Sequence, residues 1–173
     1  MMRRGVLAIT AAALMAVIGV SGCGGTDRPV PTTPRVTVPT TTGPALTATA
    51  FRTTVNNACT ALYARVGALG NPPTDSVAEA RVWYPKAAAA WHAHFDSVAV
   101  LVPPADLAAQ WAKVVDDYRL ITQAADDNVA LANSDREAIE LINSDPTAQQ
   151  TRIGAEMIDR LRALGLTGCT GGI

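Results

Sequence analysis

The sequence predicts an all-α protein, an up-down bundle of four helices. Apolar residues make up 49% of the chain, Ala is abundant and aromatic residues are only 5%. This composition favours close-packed helices over a sheet. From residue 45 onward, large apolar residues recur at steps of three and four, the spacing of one helix face. Gly and Pro residues divide this region into four segments with short connections, which favours antiparallel neighbours.

The first 22 residues have a different pattern. Arg3 and Arg4 precede a run of apolar or small residues that extends from Gly5 to Val20. At roughly 16 residues, this run is shorter than a membrane-spanning helix and matches the apolar core of an export signal. The run closes with Val20-Ser21-Gly22-Cys23, in which the small residues before Cys23 give a peptidase access to the backbone.

This closing tetrapeptide resembles the lipobox of bacterial lipoproteins, an aliphatic residue, then Ser, Thr or Ala, then Gly or Ala, then Cys. The resemblance covers residues 1–23 only, and it implies cleavage before Cys23 and a diacylglycerol on its sulphur. Two acyl chains of the palmitate type give stable anchoring, whereas one chain binds a membrane only marginally. We therefore expect a lipid-anchored protein on the extracytoplasmic face of the cell membrane. An uncleaved signal anchor and a plain secretory signal are the alternatives.

Residues 23–44 predict a flexible tether. They contain five prolines and a run of threonines but almost no large apolar residues, so they cannot bury enough surface to fold alone. The sequence thus predicts a signal peptide at 1–22, a tether at 23–44 and a helical domain at 45–173. With its Ala, Thr and Gly excess and only two lysines, the chain resembles small helical lipoproteins of actinobacteria.

The first predicted helix follows Pro44 and ends at Gly70, before Asn71-Pro72-Pro73. Cys59 lies beside its apolar stripe, which consists of Phe51, Val55, Ala58, Leu62, Val66 and Leu69.

The second predicted helix covers residues 74–102. Ser76 and Glu79 have the spacing of a capping box, and the stripe consists of Val77, Tyr84, Ala88, Trp91, Phe95 and Val98. Pro85 lies inside this pattern and removes one backbone hydrogen bond. Because the stripe stays in phase across Pro85, we expect a kink there and not a split.

The third and fourth predicted helices follow Pro103-Pro104. The third has Asp106 in its first turn and the most regular stripe of the chain, formed by Leu107, Trp111, Val114, Tyr118, Ile121, Ala125 and Val129. The fourth begins near Ser134, is broken at Pro146 and ends at Gly165. Its last section carries Ile153, Met157, Leu161 and Leu164.

Cysteine use agrees with an exported protein. If Cys23 carries lipid, Cys59 and Cys169 remain, and an exported chain with two thiols most simply joins them. Two unpaired buried thiols are the alternative. The disulfide would attach the C-terminal tail to the first helix.

The charges argue against nucleic acid as a partner. Removal of the signal takes two of the 14 basic residues and none of the 15 acidic ones, which leaves a net charge near −3. No basic footprint is present.

The polar clusters predict neither a metal site nor catalysis. His92 and His94 lie about 200° apart on a helix, so they cannot easily share a metal, and Asp96 is within reach of His92. The pairs Asp116-Asp117 and Asp126-Asp127 resemble a solvated face partly paired with Lys113 and Arg119. We expect no cofactor and no enzyme, since no motif of nucleophilic or haem chemistry occurs.

Two binding functions remain as hypotheses. The first is an interaction domain that presents an exposed helix face to another envelope protein. The second is a pocket between the second and third helices for a small apolar or amphipathic ligand. The candidate lining of that pocket is aromatic and consists of Tyr84, Trp91, Phe95, Trp111 and Tyr118.

Overall fold

The computed structural model describes residues 35–74, 76–133 and 148–170, with the backbone alone from 148 to 153. These residues form four α-helices and no β-strand, which confirms the all-helical prediction. The helices are α1 (Ala48–Gly67), α2 (Val77–Ala99), α3 (Ala108–Ala132) and α4 (Ala148–Ala163), and a 3-10 turn (Thr167–Cys169) follows them.

Several predicted helix ends are confirmed by backbone geometry. Ser76 precedes α2, and its hydroxyl accepts a hydrogen bond from the Glu79 N–H at 3.3 Å, as the capping spacing predicts. Gly165 follows α4 with a φ of 74°, a left-handed conformation that favours glycine. The start of α3 was predicted too early, because Asp106 lies in the turn before the helix and not in its first turn.

The second helix runs through Pro85 without a break. Pro85 is exposed, so the position that lacks a backbone N–H lies on the solvent side of the helix. The expected kink at this residue stays a prediction. Pro146, and with it the predicted break in the fourth helix, lies outside the described residues.

The core consists of two groups of buried side chains. The main core joins α1, α2, α3 and α4, and it includes Phe51, Phe95, Trp111, Tyr118, Met157 and Leu161. The second cluster lies between α2 and α3 and consists of Ala80, Trp83, Tyr84, Ala87, Ala88, Ala125 and Ala132. The contact between α2 and α3 is the most extensive of the helix contacts, and small alanines at the second cluster allow these helices to pack closely.

Residues 35–46 are attached to the helices. The Val36 N–H donates to Gln123 Oε1 at 2.8 Å, and the N–H groups of Thr42 and Leu46 donate to the carbonyls of Val100 and Val102. Val36 and Leu46 also pack against the main core. The assignment of residues 35–44 to a free tether is therefore corrected, because backbone hydrogen bonds and apolar contacts fasten them to α2, α3 and the loop between them.

None of the described helices combines the length and the hydropathy needed to cross a membrane.

Candidate functional site

The disulfide attaches the end of the chain to α1. Cys59 and Cys169 are both buried and are bonded to each other, with their Cα atoms 5.0 Å apart, consistent with the predicted pairing. The tail is held at two further points, since Asn56 Oδ1 accepts from the Gly168 N–H at 2.9 Å and Arg52 donates to the Leu164 carbonyl at 2.8 Å. The two cysteines thus have a structural role in the described part of the chain.

The aromatic residues predicted to line a pocket are packed as core. Tyr84, Phe95, Trp111 and Tyr118 are buried, and Trp91 is partly buried between the main core and the second cluster. Edge-to-face contacts fill the space around them; Phe51 meets Trp111 with ring centroids 5.0 Å apart. All five side chains belong to the buried clusters or pack against them, and the interhelical pocket stays a prediction.

His94 is the most unusual polar group in this core. Its side chain is 2% exposed, and neither ring nitrogen makes a hydrogen bond of regular geometry, although the backbone of Ala58 lies close to the ring. The ring lies against Tyr118 at 4.7 Å and Trp91 at 6.3 Å between centroids. Burial lowers the pKa of His94 to about 4; the nearby Ala58 backbone partly offsets this effect, and the positive charge of Arg65 adds to it. His94 is thus neutral near pH 7 and out of reach of solvent.

The other histidine has a partner that the sequence did not predict. His92 Nε2 lies 2.8 Å from Asp126 Oδ1, so it bridges α2 to α3 where the helical spacing had suggested Asp96. The contact between α2 and α3 brings Asp126 to the His92 ring, and periodicity within one helix cannot reveal such a pair.

The acidic pairs of α3 do not form one solvated face. Asp116 is exposed and pairs with Arg119 as expected, but Asp117 is buried and bonds to Arg160 of α4. Desolvation raises the pKa of Asp117, and the hydrogen bond and charge of Arg160 oppose that shift. Within the described residues, no group of three or more His, Cys, Asp or Glu side chains could hold a metal ion.

An apolar groove lies at the corner between α1 and α2. It has a volume of about 540 Å³ and is bounded by the turn after α1 and by the first half of α2; its lining is Ala68, Leu69, Asn71, Pro73, Ala78, Glu79, Val82, Trp83 and Lys86. None of the five predicted pocket residues lines it. The Trp83 indole N–H donates to the Gly70 carbonyl at 3.2 Å, which fixes the ring in the groove wall.

Val82 is the apolar residue that this groove leaves most open to solvent. Its side chain is 55% exposed, and the only other large exposed hydrophobic residue in the described ranges is Val38. The sequence could have indicated this exposure, because Val82 is a β-branched apolar residue that lies outside the predicted apolar stripe of its helix. Val82 belongs to neither buried cluster, so its side chain is available for contact with another molecule.

The proposed processing site, Val20, Ser21, Gly22 and Cys23, lies outside the described residues.

No protein-family model matches the chain, and neither the curated proteins nor the solved structures contain a match to it.

Proposed function

We propose that the chain is a bacterial lipoprotein whose helical domain binds a protein partner at the cell envelope. Residues 1–22 act as the signal peptide, and diacylglyceryl-Cys23 anchors the mature chain on the extracytoplasmic face of the cell membrane. The support is the order of a basic start, an apolar run and the Val20-Ser21-Gly22-Cys23 box. A disulfide between Cys59 and Cys169 fits an oxidising compartment.

The binding role is carried by the contrast between the filled core and the open groove. The aromatic side chains that could have enclosed a small molecule are packed in the core. The groove beside Val82 and Trp83, in contrast, offers apolar surface to solvent between charged side chains. An apolar centre with a polar rim is the usual arrangement of a protein interface.

The positions of the two histidines favour binding over catalysis. His94 is enclosed in the core, and His92 is hydrogen-bonded to Asp126. General acid or base catalysis needs a titratable side chain within reach of a substrate proton. His94 is enclosed, and neither histidine is among the residues that line the groove.

For the arrangement of the helices, we propose an up-down bundle with antiparallel neighbours. Contacts between α1 and α2, between α2 and α3, and between α3 and α4 agree with this order. The connections from α1 to α2 and from α2 to α3 are short. We place a kink of α2 at Pro85 and a break of the fourth helical segment at Pro146.

Mutation of Cys23 tests the anchor. Cells that produce the full chain are grown with radiolabelled palmitate and separated into membrane and soluble fractions. We expect label on the parent chain in the membrane fraction, and Cys23→Ala to lose the label and leave the membrane. Ser21→Ala keeps a residue that the lipobox accepts, so it should behave as the parent does. An unlabelled parent chain, or a Cys23→Ala variant that stays in the membrane, would contradict the anchor.

A further inference from the structure

The exposed face of α2 carries a charge pattern around Val82. Glu79 lies one turn before Val82, and Lys86 lies one turn after it. In a helix these two charged residues are separated by ~10 Å along the axis and by ~20° around it, so they point in nearly the same direction. Neither forms an ion pair in the part of the chain that the structure describes. Their separation also rules out a salt bridge between them within one helix.

This pattern is self-complementary under a two-fold axis. The midpoint between Glu79 and Lys86 falls between Val82 and Trp83, which are both groove residues. Rotation about an axis through that midpoint, perpendicular to α2, places Glu79 of one copy opposite Lys86 of the other, and the reverse pair forms by symmetry. In an isologous interface each contact occurs twice in this way.

We propose that the partner of this face is a second copy of the chain, with the two α2 helices antiparallel across the axis near Val82. The proposal rests on the proposed function, because it names the partner of the same groove. Val82 of each copy enters the groove of the other, beside Leu69 and Trp83. The two Glu79–Lys86 pairs lie at the sides of this apolar contact.

The charges also decide the relative direction of the two helices. A parallel arrangement would place Glu79 beside Glu79 and Lys86 beside Lys86, and like charges at close range repel. The antiparallel arrangement makes both charge contacts attractive, and it also directs the two helix dipoles in opposite directions, which is favourable. In this arrangement, the first three turns of α2 form the contact between the two copies. Ala89 and Ala93 are exposed on the same face but lie beyond the contact.

Cysteine cross-linking in membranes tests this contact. Val82→Cys is introduced into the full chain, the cells are oxidised, and covalent dimers are counted by electrophoresis without reductant. Val82 is exposed, so the change leaves the core intact. Ala93→Cys is the matched control, because it is exposed on the same face but would lie ~30 Å from its symmetry mate. We expect a dimer from Val82→Cys and none from Ala93→Cys or from the parent chain, which retains Cys23.

Charge reversal tests the pairing within the Val82→Cys background. Glu79→Lys or Lys86→Glu alone turns both pairs into repulsions and should reduce the dimer yield roughly tenfold. The double reversal restores both attractions and should return the yield to that of Val82→Cys alone. Thermal melting of each variant verifies that the fold is unchanged.

The outcomes separate the two proposals. A Val82→Cys chain without a dimer, equal dimers from Ala93→Cys, capture of a different protein only, or a double reversal that fails to restore the yield would overturn the homodimer. Failure of the lipid anchor would appear in the Cys23→Ala fractionation instead. The cross-linking comparison is then made with Cys23→Ser in every variant, so that an unlipidated Cys23 thiol contributes no dimer.

Discussion

The buried His94 should make the fold sensitive to acid. Its ring nitrogens make no hydrogen bond of regular geometry, and the ring is enclosed by Trp91, Tyr118 and the Ala58 backbone of α1. A positive charge placed there loses its hydration and faces Arg65, which is also positive. We therefore expect protonation of His94 to require at least local opening of the contact between α1 and α2.

The magnitude follows from the pKa in the two states. The pKa of His94 is lowered from the model-compound value of 6.5 to about 4 in the folded protein. Between these values the unfolded chain binds a proton that the folded chain does not, so the free energy of unfolding falls as the pH falls. The full contribution of His94 is present above pH 6.5. About 3 kcal/mol of it is lost by pH 4, at 1.36 kcal/mol per pKa unit.

Other groups titrate in the same range, so the comparison must be between variants. Desolvation raises the pKa of Asp117, which opposes the His94 effect because the folded state then binds a proton more readily. His94→Phe removes the titrating ring and keeps an apolar ring of similar shape. It should reduce the difference in stability between pH 7 and pH 4 by about 3 kcal/mol relative to the parent.

Urea unfolding at pH 7, 5.5 and 4 measures this difference, on chains that begin at residue 23 and carry Cys23→Ser. His92→Phe is the matched control, because His92 is partly exposed and lies on the same helix, while His94 remains in place. An identical loss of stability in acid for the parent and for His94→Phe would refute the assignment to His94.

Two further predictions concern stability. Replacement of both Cys59 and Cys169 by Ala opens a loop with a sequence separation of 110 and should cost about 5 kcal/mol in the chain-entropy model. The urea midpoint should fall, and dithiothreitol should destabilise the parent but not the variant. An unchanged midpoint would show that the bridge does not limit unfolding. Gly165→Ala should cost at least about 1 kcal/mol, because φ is 74° and an added Cβ would lie 3.1 Å from Arg52 Nε. Gly67→Ala should instead stabilise α1 by about 0.5–1 kcal/mol, since nothing lies within 4 Å of an added Cβ. Equal effects of the two substitutions on the free energy of unfolding would contradict the argument from the positive φ of Gly165.

Periodicity predicted the elements well because each helix buries a single face. On α3, the stripe residues Trp111, Val114, Tyr118, Ile121 and Ala125 are buried as predicted. The buried face is wider than the stripe, because it also includes Val115, Asp117, Thr122, Ala124, Asn128 and Ala132. The residues at the helix ends also followed the local rules for capping, as Ser76 before α2 and Gly165 after α4 show. These properties depend on neighbours in sequence, so the sequence alone could reveal them.

The errors concern contacts between elements. The pairs His92–Asp126 and Asp117–Arg160 join residues 34 and 43 positions apart, and no pattern within one helix indicates them. The aromatic pocket stays a prediction for a related reason, because an inward stripe predicts burial equally well for core residues and for the wall of a cavity. The groove depends on the turn after α1 as well as on α2, so its presence could not be read from either segment alone.

The attachment of residues 35–46 changes how the domain would sit at the membrane. Residues 23–34 alone separate the proposed anchor at Cys23 from the first described residues, because these are already hydrogen-bonded to α3 and to the chain after α2. Even a fully extended chain of this length spans at most ~40 Å. An anchor of such reach would confine the domains to a thin layer above the bilayer, where copies meet far more often than in free solution. A small two-fold contact such as that proposed at Val82 is then sufficient for pairing, because the anchors have already restricted the freedom that association in solution would cost.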